Sequence, residues 1–174
     1  MDTALRPVKS EFAEYYVKYV DRVPQGDIVA ILRGQMKESF ALLERVSAER
    51  AEYRYAPGKW SLKEVVGHVC DMEWVFTARA LCFARGLAAP MPGVEQDDFM
   101  AAANFGSQSL AALLAQWREL RAANTVLFES FDAAAWKRTG IASDNPVSVR
   151  ALVYIIAGHE RHHMGILRER YLGT

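Results

Sequence analysis

The chain has 174 residues, 51% of them hydrophobic and 24% charged, with 21 basic side chains balanced by 21 acidic ones. That composition describes a globular chain of one domain, 1–174, long enough to bury a sizeable core. Balanced charge excludes the basic footprint of a nucleic-acid binder, and no apolar run is long enough to span a membrane.

Strand signals are nearly absent, and apolar residues recur at intervals of three and four, the period of a helix. A short helix is expected over 10–20. Arg22-Val23-Pro24-Gln25-Gly26 breaks it, and Asp27 N-caps a longer helix reaching 49, with Ile28, Leu32, Met36, Leu43 and Val46 on its inner face. Ala56-Pro57-Gly58-Lys59-Trp60 is a turn. Ser61 and Glu64 then form a capping box, opening a helix to 84 that carries His68 in its second turn.

Residues 86–107 contain Pro90, Pro92, Gly93 and Gly106 and form a long crossover with one helical piece around 99–103. Connections of that length in a compact domain are often functional, which makes this one the candidate substrate lid, with Asp97, Asp98 and Asn104 as polar contacts; a packed connector is the alternative. The next helix covers 109–128, with Leu113, Trp117, Leu120 and Leu127 inward. Asp144-Asn145-Pro146 is another break, and Ser148 caps a last helix reaching 170. Four long helices and one crossover predict an all-α four-helix bundle, in which metal sites are built inward from facing helices.

Three of the four histidines carry the chemistry. On the last helix, at about 100° per residue and with His159 at zero, Leu152 falls at about 20°, Ile156 at about 60°, His163 at about 40° and Ile166 at about 340°. His159 and His163 thus lie in the middle of the apolar stripe, one turn apart. Buried imidazoles need polar partners, and a metal ion satisfies both. With His68 facing them from another helix, the three make a site with an open fourth position, the usual form of a catalytic zinc-type centre.

Glu160 at about 100° and His162 at about 300° fall at the edges of the stripe. Glu160 is a candidate general base or a solvated helix residue. His162 is a candidate proton carrier or a partly exposed helix residue. His159-Glu160-Arg161-His162-His163 also satisfies the zinc-protease pattern. The metzincin continuation is missing, however, with Ile166 and Glu169 at the places where glycine and histidine belong. Asp71, three residues after His68, is a candidate acceptor for a ligand ring or an ordinary helix acid. Trp60, Trp74, Trp117 and Trp136 read as core and edge aromatics.

Cys70 and Cys82 lie on one predicted helix about 18 Å apart, too far to pair, and Cys70 points away from His68. Unpaired thiols fit a reducing compartment, and Met1-Asp2-Thr3-Ala4-Leu5-Arg6-Pro7 lacks the apolar core of a signal peptide, so a cytoplasmic protein is expected.

Several segments together resemble the DinB/YfiT-like superfamily. These are residues 19–27, residues 55–68 with Pro57-Gly58-Lys59-Trp60-Ser61 at their centre, Ala101-Ala102-Ala103-Asn104-Phe105, and Gly158-His159-Glu160-Arg161-His162-His163. The resemblance runs from about Tyr19 to Tyr171 and implies an up-down-down-up four-helix bundle. It implies a divalent metal, zinc or nickel, held by His68, His159 and His163, and a homodimer. Relatives include transferases that use bacillithiol or mycothiol, thiol-dependent maleylpyruvate isomerases and metal-dependent hydrolases. The resemblance therefore implies a thiol-dependent S-transferase acting on small electrophiles, with a low-molecular-weight thiol as second cofactor. A metal-dependent hydrolase is the first alternative and a non-catalytic metal-binding protein the second.

Overall fold

The computed structural model describes residues 6–173. Four long helices dominate: α2 (Ile28–Leu43), α4 (Leu62–Ala84), α6 (Leu110–Glu129) and α8 (Val149–Ile166), the last running on through a π-type turn, Leu167–Leu172. Short helices fill the connections: α1 (Val17–Val20), α3 (Ala48–Ala51), α5 (Gln96–Ala102) and α7 (Ala133–Lys137). Each long helix starts at a side-chain cap. Asp27 accepts from the Val29 and Ala30 amides, Ser61 from Glu64, Ser109 from Ala112 and Ser148 from Ala151. Such a cap contributes about 1 kcal/mol and fixes where the helix begins.

Contacts between helices fix their directions. Lys63, at the start of α4, donates to the carbonyls of Gly106 and Gln108, just ahead of α6, and Glu73 meets Arg121 half-way along; α4 and α6 are parallel. Gln35 of α2 donates to the Ala157 carbonyl of α8, and the two cores described below pair their starts and ends, so they too are parallel. Arg33 near the start of α2 pairs at 2.5 Å with Glu129 at the end of α6, which makes those two antiparallel. The bundle is therefore up-down-down-up, and the long crossover exists because parallel neighbours α4 and α6 need a return across the bundle.

The core is divided. One apolar cluster joins α1, the start of α2, the ends of α4 and α6 and the first half of α8, with Ile28, Leu32, Phe83, Phe128 and Ile155 among its most buried members. A second joins the end of α2, the start of α4, α6 and the end of α8 around Leu43, Leu62, Leu113, Trp117 and Leu167. Buried polar side chains also come from all four long helices: Gln35, Ser39, His68, Glu73, Arg121, Asn124, His159, Glu160 and His163.

Several expected elements differ. The helix expected over 10–20 is two 3-10 turns, Lys9–Glu11 and Glu14–Tyr16, followed by the single turn of α1. Glu11 is tied to Ser148 at 2.6 Å and to Arg150, and Phe12 goes extended so that its ring reaches the first core. The helix expected to reach 49 stops at Leu43, and Ser47 caps α3 as a new start. Leu127 is only partly buried; Phe128 takes the inward position.

The break expected at Asp144-Asn145-Pro146 falls in a hairpin, β1 (Thr139–Ala142) with β2 (Asn145–Ser148), which Ser143-Asp144 joins, pairing Ala142 with Asn145 and Ile141 with Pro146. Ser143 and Asp144 both have positive φ, 50° and 61°, as a two-residue hairpin turn of the mirror-image type requires. No helix of the described residues is long and apolar enough to cross a membrane.

Candidate metal centre

His68, His159 and His163 come together. The Nε2 atom of His159 lies 3.1 Å from that of His68 and 3.1 Å from that of His163. A tetrahedral ion with bonds of about 2.0–2.1 Å sets its nitrogen ligands about 3.3–3.4 Å apart, so the spacing fits a metal with little movement. Burial drives all three rings to the neutral form that binds metal. It pushes His68 down to about 4 against the opposing charge of Asp97, holds His159 well below its ordinary value, and takes His163 to about 2 with help from His68. Three neutral imidazoles converging on one point cannot all satisfy one another with their few ring protons, whereas a cation accepts a lone pair from each.

Two glycines let the chain build this centre. Gly158 sits where α8 passes the backbone of α1, and a Cβ there would overlap the Tyr19 carbonyl. The close approach sets the Tyr19 ring edge-on to His159 and His162, with centroids at 5.4 and 5.3 Å. Gly67 precedes His68, and a Cβ on it would lie 2.6 Å from the Phe105 ring, so the crossover is seated directly on α4. Trp60 packs at 5.0 Å from His68, and its carbonyl accepts a 2.7 Å bond from the Tyr171 hydroxyl. Trp60 is thus a wall of the site rather than a generic edge aromatic.

A cavity of about 490 Å³ borders this centre at His163, the one ring of the three that lines it. His162 and His163 line it, together with Tyr15, Lys18, Tyr19, Tyr55, Lys59, Trp60, Asp97 and Tyr171 among others. His162 is partly buried, and burial, then the charges of Arg22 and Lys18, lower its pKa. From the crossover, Gln96 and Asp97 reach the cavity; Asp98 and Asn104 do not line it. Among the described residues no hydrogen bond joins Asp71 to His68; burial raises the Asp71 pKa.

Glu160 stands elsewhere. It is 1% exposed, and its carboxylate accepts from Ser39 at 2.6 Å and Gln35 at 3.0 Å and pairs with Arg121 at 2.9 Å. Arg121 also forks onto Glu73, whose oxygens accept further bonds from Trp117 and Asn124. Glu160 is absent from the cavity wall and links α8 to α2 and α6 instead. Its angular position at the edge of the stripe agrees with this placement; its partners come from α2 and α6, which one helix's periodicity does not reveal. Lys18, Tyr19 and Trp60 escape recognition as site residues for the same reason, since each arrives from a different element.

The model of the DinB superfamily matches residues 31–167. A search of curated proteins found no match. Among solved structures, YfiT from Bacillus subtilis, described as a probable metal-dependent hydrolase with an unusual four-helix bundle topology, superposes with a TM-score of 0.71 at 16% identity, covering 95% of this chain and 90% of that one. A mycothiol-dependent maleylpyruvate isomerase superposes with a TM-score of 0.67 at 13% identity, covering 83% of this chain and 61% of the isomerase. A histidine-to-alanine mutant of that isomerase superposes similarly, with a TM-score of 0.66 at 13% identity and the same coverage. At such identities the likeness establishes the shared fold.

Proposed function

The chain belongs to the DinB superfamily, and on that premise we propose that it is a divalent-metal-dependent enzyme transferring a low-molecular-weight thiol to small electrophiles. The observation that carries this reading is the convergence of His68, His159 and His163 beside a cavity large enough for a small molecule. Zinc or nickel bound there would supply Lewis acidity, favouring the thiolate form of a thiol at neutral pH. The chain's own residues do the rest. The three imidazoles supply neutral nitrogen ligands, and Tyr19 and Trp60 fix the rings they touch. His162, neutral and on the cavity wall, accepts the proton released by the thiol at a ring nitrogen.

Hydrolysis is the second reading. The same site would take water in place of the thiol, with His162 again receiving the proton, and the likeness to YfiT favours it. Mycothiol dependence in the other similar structure favours the thiol. The opening onto a cavity argues against a purely structural metal site, which is closed by a fourth protein ligand.

Elemental analysis and cobalt titration test the proposal. We expect one divalent ion per chain in the wild type and loss of metal in His68→Ala, His159→Ala and His163→Ala. Low-molecular-weight thiols added to the cobalt form should produce thiolate-to-metal charge-transfer absorption. Unchanged metal content in all three variants overturns the metal assignment. Bound metal with no thiol response, but metal-dependent ester or amide hydrolysis, transfers the assignment to the hydrolase.

A further inference from the structure

The cavity above the histidines is electrostatically one-sided. Lys18 enters from α1, and Lys59 from the turn ahead of α4. Among the described residues neither lysine is in an ion pair. The Lys18 ammonium instead stands over the Tyr15 ring at 3.9 Å and the Tyr19 ring at 4.9 Å, a contact that localises a cation without neutralising it. Asp97 is the one acidic side chain among the lining residues, set against these two ammonium groups. Tyr55, Trp60 and Tyr171 supply aromatic walls, beside Val65, Ile166 and Gln96. Three neutral imidazoles would leave a bound divalent ion its full charge, adding to the excess.

An anion entering such a cleft gains from both lysines, whereas a neutral ligand of the same shape gains nothing from them. The volume is that of a small-molecule site. We propose that Lys18 and Lys59 form an anion subsite, so that the ligand of this enzyme is a small carboxylate-bearing molecule whose acidic group is held by the two ammonium groups while its reactive end faces the histidines. This rests on the metal-dependent reading above and deepens it, because it assigns the chemical class of what binds. The aromatic walls would take up the body of the ligand between its two ends.

Both lysines are exposed at the surface of short segments, so their replacement leaves the core intact. The test compares the wild type with the double variant Lys18→Gln/Lys59→Gln, each loaded with cobalt. Isothermal titration calorimetry and visible absorption follow three probes: mercaptosuccinate, succinate and 2-mercaptoethanol. The wild type should bind mercaptosuccinate roughly tenfold or more tighter than 2-mercaptoethanol, the scale of one charge-assisted bond. In the double variant that preference should be lost, with the affinity for mercaptosuccinate falling to that for 2-mercaptoethanol. Succinate separates this proposal from the thiol reading. If no thiol perturbs the cobalt spectrum but succinate binding weakens in the double variant, the anion subsite stands and the transferase falls. If the protein takes up no cobalt, the same calorimetry on the metal-free form still reads the lysines. Equal affinities for all probes in both proteins, or a carboxylate preference that survives in the double variant, overturn the proposal.

Discussion

A methyl group at Gly158 has nowhere to go, because the Tyr19 carbonyl fills the space. Helix interiors disfavour glycine by about 1 kcal/mol relative to alanine, so substitution on an open helix face would stabilise. Here overlap with backbone outweighs propensity, since a carbonyl held in α1 cannot rotate aside as a side chain can. Gly158→Ala is expected to destabilise the protein by about 1–3 kcal/mol. It should also weaken metal binding by moving Tyr19 off His159 and His162. Urea unfolding and a metal competition titration check the two effects. A stabilised variant would show that α1 does not press on α8 in solution. A glycine inside the sequence Ala157-Gly158-His159 is the one signal in the chain that could have announced this approach, and it names no partner. The histidines are legible because i and i+4 on one helix face is a local relation; Tyr19 against His159 is a relation between segments and has no local signature.

At the scale of elements, the buried ions are the feature that binds helices to one another. Arg121 of α6, 2% exposed, lies between Glu73 of α4 and Glu160 of α8, while Gln35 and Ser39 of α2 complete the shell of Glu160. Two carboxylates flank one guanidinium, so the three side chains are not equivalent. Losing Glu160 leaves a balanced Arg121–Glu73 pair; losing Arg121 leaves two buried carboxylates facing a void. Arg121→Met is therefore expected to cost about 3–5 kcal/mol, the range for stranding a buried charge. Glu160→Gln, which keeps the shape and some of the bonds, should cost only about 1–3 kcal/mol. Chemical denaturation of both metal-free variants checks the order; a reversed order would mean that Glu160 is the charge the network is built around.

None of this network is readable from the sequence beyond the polar identity of each residue. The four long helices are, since their caps and apolar stripes are local. The β1–β2 hairpin escapes because Ser143-Asp144 is a rare choice for two positive φ values, and Pro146 reads as a helix break before it reads as a strand residue.

Across the whole molecule, a protein that buries three imidazoles is sensitive to acid in its metal-free state. His68, held at about 4 when folded, has an ordinary value near 6.5 when the chain unfolds. Between those values the unfolded state binds more protons than the folded state, so stability must fall as pH drops through this window. His68 alone accounts for about 2 kcal/mol of loss by pH 5, and His159 and His163, both lowered as well, act in the same direction. The lowered carboxylates Glu11 and Glu64 keep their stabilising effect above pH 5 and add no slope there, while the raised carboxyls of Asp71 and Glu160 act against the histidines. For a chain of this size each kcal/mol moves the melting temperature by roughly 2–4 °C. Scanning calorimetry in the presence of a chelator should therefore show the melting temperature dropping by about 4–8 °C or more between pH 8 and pH 5. The drop should shrink in His68→Ala, which removes one of the four rings whose pKa is lowered. Loading with metal should raise the melting temperature at pH 8, because an ion that binds only the folded chain stabilises it. As pH falls that gain should diminish, since protons compete for the same nitrogens. A melting temperature that is flat between pH 8 and pH 5 in the metal-free protein, and equally flat in Glu160→Gln, which removes the opposing carboxyl, would mean that the imidazoles are not held neutral in the interior.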